Sequence, residues 1–540
     1  MEMDKIIISN RFFDGEKFVE SPTFFKIKNG VIFQVGKFTD LKDSGLRFGK
    51  DVIVEDYRGL TLTPGLVDSH NHFTLSALKM RFQVNLECAK NFSDIKTTLL
   101  KQFRNNKRKW ILGYNLNEYN LEEKKLPTAQ DLDKISSEIP ILITHSSEHY
   151  AICNSVALQK SNVTNETLNR FGSVIGRYKN GEPNGILYES AAMDIVKGNI
   201  PAYDLEEYED ALEYASRKYR KSGLTAVKDT GGTGKDIDEE KRVEALNYLS
   251  EDERLAIRVG IALPVYSLED VRKKIELSNK IQENKFLRFV GFKFFIDGSG
   301  LSRTAWMKEN WNKNYTETDE SNFGKCLWDI EEFNNAISEV SKLKTTVSIH
   351  AIGDRGIFEA LKAIKQNRGK NSKFSMIHCN APNADDITKM AELGISVETQ
   401  ASFIYFIGAA YMSNFGGTRG QRLFPFNTML KAGINVCNGS DSPVTRYEPI
   451  YGILSSMLRQ TKYGTPPGFE YTASEKLDLE ETLRTYTLNC SKSMEWEEIG
   501  NLKKGSFADV IVWKEIPENF NKVLDPEAMF HKTMLSGNSL

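Results

Sequence analysis

Histidines standing in a fixed relation to short apolar runs are the first sign of chemistry in this chain. His70 and His72 are two residues apart in TPGLVDSHNHF, His350 stands in VSIHAIGD and His378 in FSMIHCN. Lys293, in GFKFFIDG, lies between that pair and the later two, and Asp441, in INVCNGSD, follows them all. Imidazole nitrogen suits zinc and similar divalent ions. Two histidines at i and i+2 leaving a strand converge on one ion once the backbone bends outward, and His350 and His378 suit a second. Asp441 would bind the first ion and accept a proton from water. Two cations about 3.5–4 Å apart need an anionic bridge. Lys293, buried beside metals, would lose its proton and add carbon dioxide, and the resulting carbamate would bridge with its two oxygens. A single-ion site with an unmodified lysine stays open. Each motif alone has a bland reading: a surface lysine, a satisfied buried histidine, an aspartate capping a helix. Their joint order is what points to a shared metal site.

Something must hold these residues together, and eight apolar runs are available for it. They are TPGLVDSH, GLTAVKDT (223–230), AIRVGIALPV, RFVGFKFFID, TVSIHAIG, FSMIHC, GISVETQ and INVCNGSD. Each reads as a buried parallel strand, and amphipathic helical stretches such as DRGIFEALKAIKQNR separate most of them. The candidate ligands stand at or just beyond the C-terminal ends of the first, fourth, fifth, sixth and eighth runs. In a (β/α)₈ barrel that end is the catalytic face. The expected fold is therefore α/β, a (β/α)₈ TIM barrel over residues 61–499. The span 78–222, about 145 residues after the first strand, is far longer than one helix needs and reads as an inserted cap subdomain. Residues 1–60 and 500–540 read as short strands and turns that assemble into one small β-sandwich module.

The totals agree with a soluble enzyme rather than a nucleic-acid or membrane binder. The chain has 540 residues, 40% hydrophobic and 27% charged, with a formal net charge of -2, which leaves no electrostatic footprint for nucleic acid or an anionic membrane. The acidic start MEMDKIII argues against a signal peptide. No apolar run approaches the ~20 residues of a membrane span. Six scattered cysteines without C-x-x-C pairs suggest a reduced, cytoplasmic protein. Cys379 and Cys437, near proposed site residues, read as small packing residues.

Several stretches resemble the amidohydrolase superfamily, and more narrowly its long-chain branch (amidohydrolase family 3, of the N-substituted formamide deformylase kind). They are PGLVDSHNH, GLTAVKD, FKFFIDGSGLSRTA, HAIGDR and GSDSPVTRYEP, supported by LDLEETLRTYTLNCSK, GNLKKGSFADVIV and SSEHYAICNSVAL. The resemblance implies that His70, His72, Lys293, His350, His378 and Asp441 are metal ligands, and that the chain forms a homodimer. Two positions depart from the branch. Ser375 and Ile377 stand where it commonly carries Arg and Glu, so their polar contacts around His378 should be lost. The closing segment HKTMLSGNSL is a short version of the usual last strand.

The expected activity is hydrolysis of a non-peptide, amide-type C–N bond of a small substrate, with water activated by divalent metal, zinc in the first instance. Deamination or lactone and ester hydrolysis on the same ligands is an alternative, since loops choose the electrophile. A non-catalytic binding or regulatory barrel is a third reading. Asp441 is the expected proton carrier, and His149 in SSEHY either contacts substrate or organises the insertion. Asp297 and Arg303 flank a glycine-rich turn and are candidates for substrate binding, as is Trp306, which with Trp311 and Tyr315 would form an aromatic wall. His145 reads as structural, Glu189 reaches the cleft or pairs on a helix, and Asp354 reads as a helix cap.

Overall fold

The computed structural model describes residues 4–43, 52–103, 109–146, 148, 150–169, 173–232, 236–313, 321–369, 372–465, 468–523 and 525–539. The expectations for His149 and Tyr315 lie outside the described residues. The chain divides into two compact units, one of Met1–Phe73, Ser216–Gly231 and Asn247–Leu540, the other of Thr74–Ala215 and Gly232–Leu246.

In the first unit, the eight expected runs form one parallel sheet in chain order. Its strands are β1 (Leu66–Asn71), β2 (Leu224–Asp229), β3 (Arg258–Val265), β4 (Leu287–Phe295), β5 (Thr346–Ala351), β6 (Lys373–His378), β7 (Ser396–Thr399) and β8 (Asn435–Asn438). Every residue of β1, β2 and β3 is buried, because a parallel sheet is covered on both faces. β1 and β8 are the two ends of the sheet, and the chain just beyond β8 brings them together into a barrel. Asp441 N–H donates to His70 O at 2.8 Å, and His72 N–H donates to Ser442 O at 3.0 Å. Asp68 reinforces this seam. Its buried carboxylate accepts from Ser440 N–H (3.0 Å), Ser440 Oγ (2.6 Å), Asn71 Nδ2 (2.7 Å) and His70 N–H (3.2 Å). Gly439 is required there, since a Cβ would sit 2.5 Å from His70 N.

The chain ends meet in a second sheet of the same unit. Asp4–Phe13, Phe18–Lys28, Val31–Lys37, Val52–Asp56 and Thr61–Pro64 pair with Val510–Trp513, Phe530–Leu535 and Asn538–Ser539. A register shift between Ser9 and Arg11 lets one strand serve two neighbours. Asp4–Ile8 pairs with Val52–Asp56, and Arg11–Phe12 with Thr61–Leu62. Such a bulge bends the strand and gives the module its sandwich-like core of Ile7, Phe12, Phe25, Val510, Val512 and Met534. A buried ion pair joins this module to the barrel. The Arg258 guanidinium on β3 grips both oxygens of Asp509, at 2.7 and 2.8 Å, and lies 3.6 Å from the centroid of Phe507.

The second unit carries its own six-stranded sheet, in the order Val174–Arg177, Pro183–Tyr188, Tyr150–Cys153, Ile141–His145, Ile111–Leu116, Val84–Asn85. The period-two rule of strands sorts its apolar residues onto two faces. Ile111, Ile141, Ile143 and Ile152 enter one cluster, and Leu112, Leu142, Ala151 and Cys153 the other. His145 lies 3.0 Å from Glu118 Oε2 and stacks on Tyr150 at 4.0 Å. Among the described residues, no helix is long and apolar enough to cross a membrane.

Removing one partner of the Arg258–Asp509 pair would leave a buried charge uncompensated, at a cost of about 3–5 kcal/mol. Asp509→Asn is expected to lower the urea midpoint accordingly, and the double change Arg258→Met with Asp509→Leu to lower it less than Asp509→Asn alone. Equal midpoints for the parent and Asp509→Asn would show that the pair does not hold the module to the barrel.

Candidate metal centre

Four histidines, a lysine and an aspartate meet at the C-terminal end of the barrel. His70 and His72 leave β1 with Nε2 atoms 3.2 and 3.3 Å from Asp441 Oδ1. Lys293, on β4, places Nζ 3.2 Å from His70 Nε2. His350 from β5 and His378 from β6 are T-shaped with ring centroids 4.4 Å apart, and His70 lies 5.4 Å from His378. The ligand atoms of His70, His378 and Asp441 all fall within 4.8 Å of one another. His378, Cys379 and Asp441 adopt left-handed backbone, with φ of 69°, 49° and 54°. Non-glycine residues are uncommon in that region and gather at functional sites. The turn swings each side chain off its strand end.

The partners of the ring nitrogens settle which nitrogen is left for a ligand. A carbonyl oxygen only accepts, so His72 must donate Nδ1–H to Gly231 O (2.6 Å), and His350 must donate Nε2–H to Gly298 O (3.1 Å). That frees Nε2 of His72 and Nδ1 of His350 as lone-pair donors. His378 Nδ1 faces Gln400 Oε1 at 2.6 Å. His70 Nδ1 is buried without a hydrogen-bond partner, and Asp441 Oδ1 faces the Nε2 atoms of His70 and His72.

Burial dominates the charge state. Desolvation, aided by nearby Lys293, holds His70 well below the usual imidazole range. Desolvation also lowers His350 and brings His378 down to about 4. It lowers Lys293 to about 7 against the pull of Asp441. Burial pushes Asp441 up, but His70 and His72 more than offset it and hold the carboxyl well below its usual range. At neutral pH the site thus holds neutral imidazoles at His70, His350 and His378, an ionised carboxylate and a lysine near its titration point. Neutral ring nitrogens, a buried ionised carboxylate and a deprotonatable amine are a donor set that suits a divalent cation.

The other candidate residues make contacts of their own within the chain. Asp297, expected to bind substrate, is 1% exposed, and its carboxylate accepts from Trp306, Ile352 and Gly353 N–H at 3.0, 3.1 and 2.8 Å. Those amides belong to the chain's own loops, so Asp297 pins the segments after β4 and β5, and burial raises its carboxyl to about 7. Arg303 donates to Asn414 Oδ1 at 3.3 Å. Trp306 is half-buried beneath the Arg355 guanidinium, 5.2 Å from its ring. Trp311 does not form a substrate wall. It is buried against Phe415 and donates its indole N–H to Ala305 O. Gly353, not Asp354, caps the helix Asp354–Asn367, and Asp354 accepts from Lys308 N–H. Glu189 sits at the N-cap of Ser190–Lys197. Cys379 and Cys437 are buried packing thiols.

Ser375 keeps a polar role. It donates to Ser348 Oγ at 2.8 Å, and Ser348 in turn accepts from Lys228 Nζ at 2.7 Å. Lys228 on β2 also grips both oxygens of Glu398 on β7, at 2.7 and 2.9 Å, with neither side chain exposed. The barrel interior therefore holds a cation from β2, while Ile377 is simply apolar and buried. Lys228, Glu398, Gln400 and Asp68 were not singled out from the sequence. The signal was present in GLTAVKDT and GISVETQ, where opposite charges interrupt two runs that otherwise read as buried strands.

Lys293 makes the sign of one pH effect definite for the metal-free chain. Its folded value of about 7 lies below the ordinary 10.5. Between those pH values the unfolded chain holds a proton that the folded chain has released, so stability rises with pH across the window. The histidines act below it: stability falls as pH drops from 6.5 toward about 4, because the unfolded chain protonates first. Lys293→Met is expected to stabilise the chelator-treated protein at pH 7 by on the order of a few kcal/mol and to abolish the rise above that pH. Urea unfolding at a series of pH values checks this, and an unchanged slope would place the effect elsewhere.

The comparisons with known proteins meet this geometry. Residues 54–539 match the model of the Amidohydrolase family. The chain is 26% identical over 524 residues to the putative amidohydrolase YtcJ of Bacillus subtilis (strain 168), covering 95% of this chain and 94% of that protein. It is 24% identical over 505 residues to the N-substituted formamide deformylase of Arthrobacter pascens, covering 91% and 90%. In fold it is similar to an uncharacterized metal-dependent hydrolase of Pyrococcus horikoshii OT3, with a TM-score of 0.77 at 21% identity over 98% of this chain and 100% of that one. With its barrel and nearly its whole length accounted for, the chain belongs to the amidohydrolase family, and it is a hydrolase of that metal-dependent superfamily.

Proposed function

We propose that the protein hydrolyses a non-peptide, amide-type carbon–nitrogen bond of a small substrate at a site holding two zinc-like divalent ions. The observation that carries this is the convergence of buried imidazoles on an ionised Asp441 carboxylate, with Lys293 among them. His70, His72 and Asp441 would hold one ion and His350 and His378 the other. Lys293, carboxylated by carbon dioxide, would bridge them. The ions, when bound, supply polarisation of the substrate carbonyl and a lowered pKa for water. Everything else falls to the chain's own groups.

Asp441 Oδ1 is turned toward His70 and His72, so Oδ2 would take the proton as water adds to the carbonyl carbon. The same oxygen would return that proton to the nitrogen as the C–N bond breaks. Left-handed backbone at Asp441 and the seam to β1 keep the carboxylate at that place. Burial of Lys293 favours its neutral amine, the form that adds carbon dioxide. The likeness to a protein named N-substituted formamide deformylase supports an amide substrate.

Asp441→Asn is expected to lower kcat about 10²–10⁴-fold with KM changed only a few-fold, measured on a panel of N-substituted formamides and other small amides. Near-parent turnover would remove Asp441 from proton transfer. Elemental analysis of the parent, purified without chelator, should return about two equivalents of metal. A chain that takes up none, even with added zinc and bicarbonate, would rule out this chemistry, and turnover confined to lactones or aminated heterocycles would reassign the bond.

A further inference from the structure

β7 contributes no candidate ligand, yet Glu398 on it and Gln400 just after it are fully buried polar side chains. Gln400 follows it directly, is fully buried, and makes two hydrogen bonds. Its Nε2 donates to Glu398 O at 3.0 Å and its Oε1 faces His378 Nδ1 at 2.6 Å. The carboxamide cannot be turned over, because a carbonyl oxygen at Glu398 only accepts. Oε1 must then point at the ring, and His378 must carry its proton on Nδ1. This leaves Nε2 as the lone-pair nitrogen.

The Glu398 carboxylate is held in turn by two side chains. Lys228 Nζ binds both of its carboxylate oxygens, at 2.7 and 2.9 Å, and Ser493 Oγ donates to Oε1 at 2.9 Å. Lys228 also donates to Ser348 Oγ, which Ser375 Oγ meets at 2.8 Å. β2, β5, β6, β7 and the helix Leu488–Met494 thus converge on one buried charge pair. A buried ion pair is a poor source of stability compared with apolar packing, but it fixes geometry when every lone pair and proton is used.

We propose that Gln400 is a positioning residue for the metal centre: it sets the tautomer and aim of His378, and the Lys228–Glu398 pair anchors the strand end that carries it. The inference rests on the proposed metal site for its consequence, but the tautomer stands on hydrogen bonding alone. A ligating histidine whose other nitrogen is bound is oriented and made more basic, and loss of such a partner lowers metal affinity about 10–100-fold.

The test uses the full chain and Gln400→Leu. Ring ¹⁵N–¹H correlation spectra of ¹⁵N-histidine-labelled, metal-free protein should be read first, since there are only seven histidines. The His378 signal is identified by its absence in His378→Gln. It is expected as the Nδ1–H form in the parent and as a mixture in Gln400→Leu. Zinc titration against a chromophoric chelator should then show one equivalent weakened about 10–100-fold and the other held within about threefold. If Gln400→Leu does not fold, Gln400→Glu keeps an acceptor for Nδ1–H and should retain both the tautomer and the affinity. An unchanged tautomer in Gln400→Leu, equal zinc affinity for both equivalents, or loss of tautomer in Gln400→Glu would overturn the proposal. A parent that binds no zinc while keeping the Nδ1–H form would overturn the metal reading, and with it the consequence but not the orientation of His378.

Discussion

The seam between the first and last barrel strands is the constraint from which the rest of this structure follows. A parallel sheet of eight strands has two edges until its ends are joined, and here the joining bonds belong to the site itself. Asp441 N–H donates to His70 O, and His72 N–H to Ser442 O. The bonds that close the barrel therefore bring the Asp441 carboxylate against the two imidazoles of β1. Gly439 leaves room for that approach, and Asp68 satisfies the amides and hydroxyl that the closure would otherwise strand. Closure and the candidate metal centre are one arrangement of atoms, and the left-handed backbone of Asp441 falls within it.

Burial then does the electrostatic work. Removing imidazoles and an amine from water favours their neutral forms, while imidazoles beside Asp441, His70 first, hold its carboxyl ionised. A cluster of ring nitrogens around a single anion is the result. Deeper in the barrel the chain handles charge differently. Lys228 and Glu398 neutralise one another through two hydrogen bonds, with Ser348 accepting from the lysine and Ser493 donating to the carboxylate, so the charge below the site is matched rather than open. The two layers are connected through Gln400, whose carboxamide spans the distance from Glu398 O to the His378 ring.

The loops after the strands show how backbone demand competes with ligand demand. Asp297 follows Lys293 closely and looked suited to a substrate, yet three backbone amides from two loops claim it. Trp311 looked suited to a pocket wall, yet its large apolar ring found Phe415 and its N–H found a carbonyl. Asp354 looked like a cap, but Gly353 occupies that position and the carboxylate instead ties down Lys308. In each case the residue type was read correctly as polar or aromatic and in need of a partner. The partner came from a segment distant in sequence, which local spacing does not encode.

Much of this protein was legible in one dimension. Period and burial made eight apolar runs readable as strands, since a strand covered on both faces must be continuously apolar. The order His-x-His, Lys, His, His, Asp was readable because parallel strands present their C-terminal ends to one face. What the sequence alone could not decide was which nitrogen of each ring is free, which carboxylates are claimed by amides, and that Ser375 takes part in a network centred on a lysine from β2. Those are questions of distance between residues up to 372 positions apart. Chain chemistry nominated the groups that could bind metal. Only tertiary packing decided their tautomers and charge states, because both are set by what lies within hydrogen-bonding reach and by how completely water has been removed.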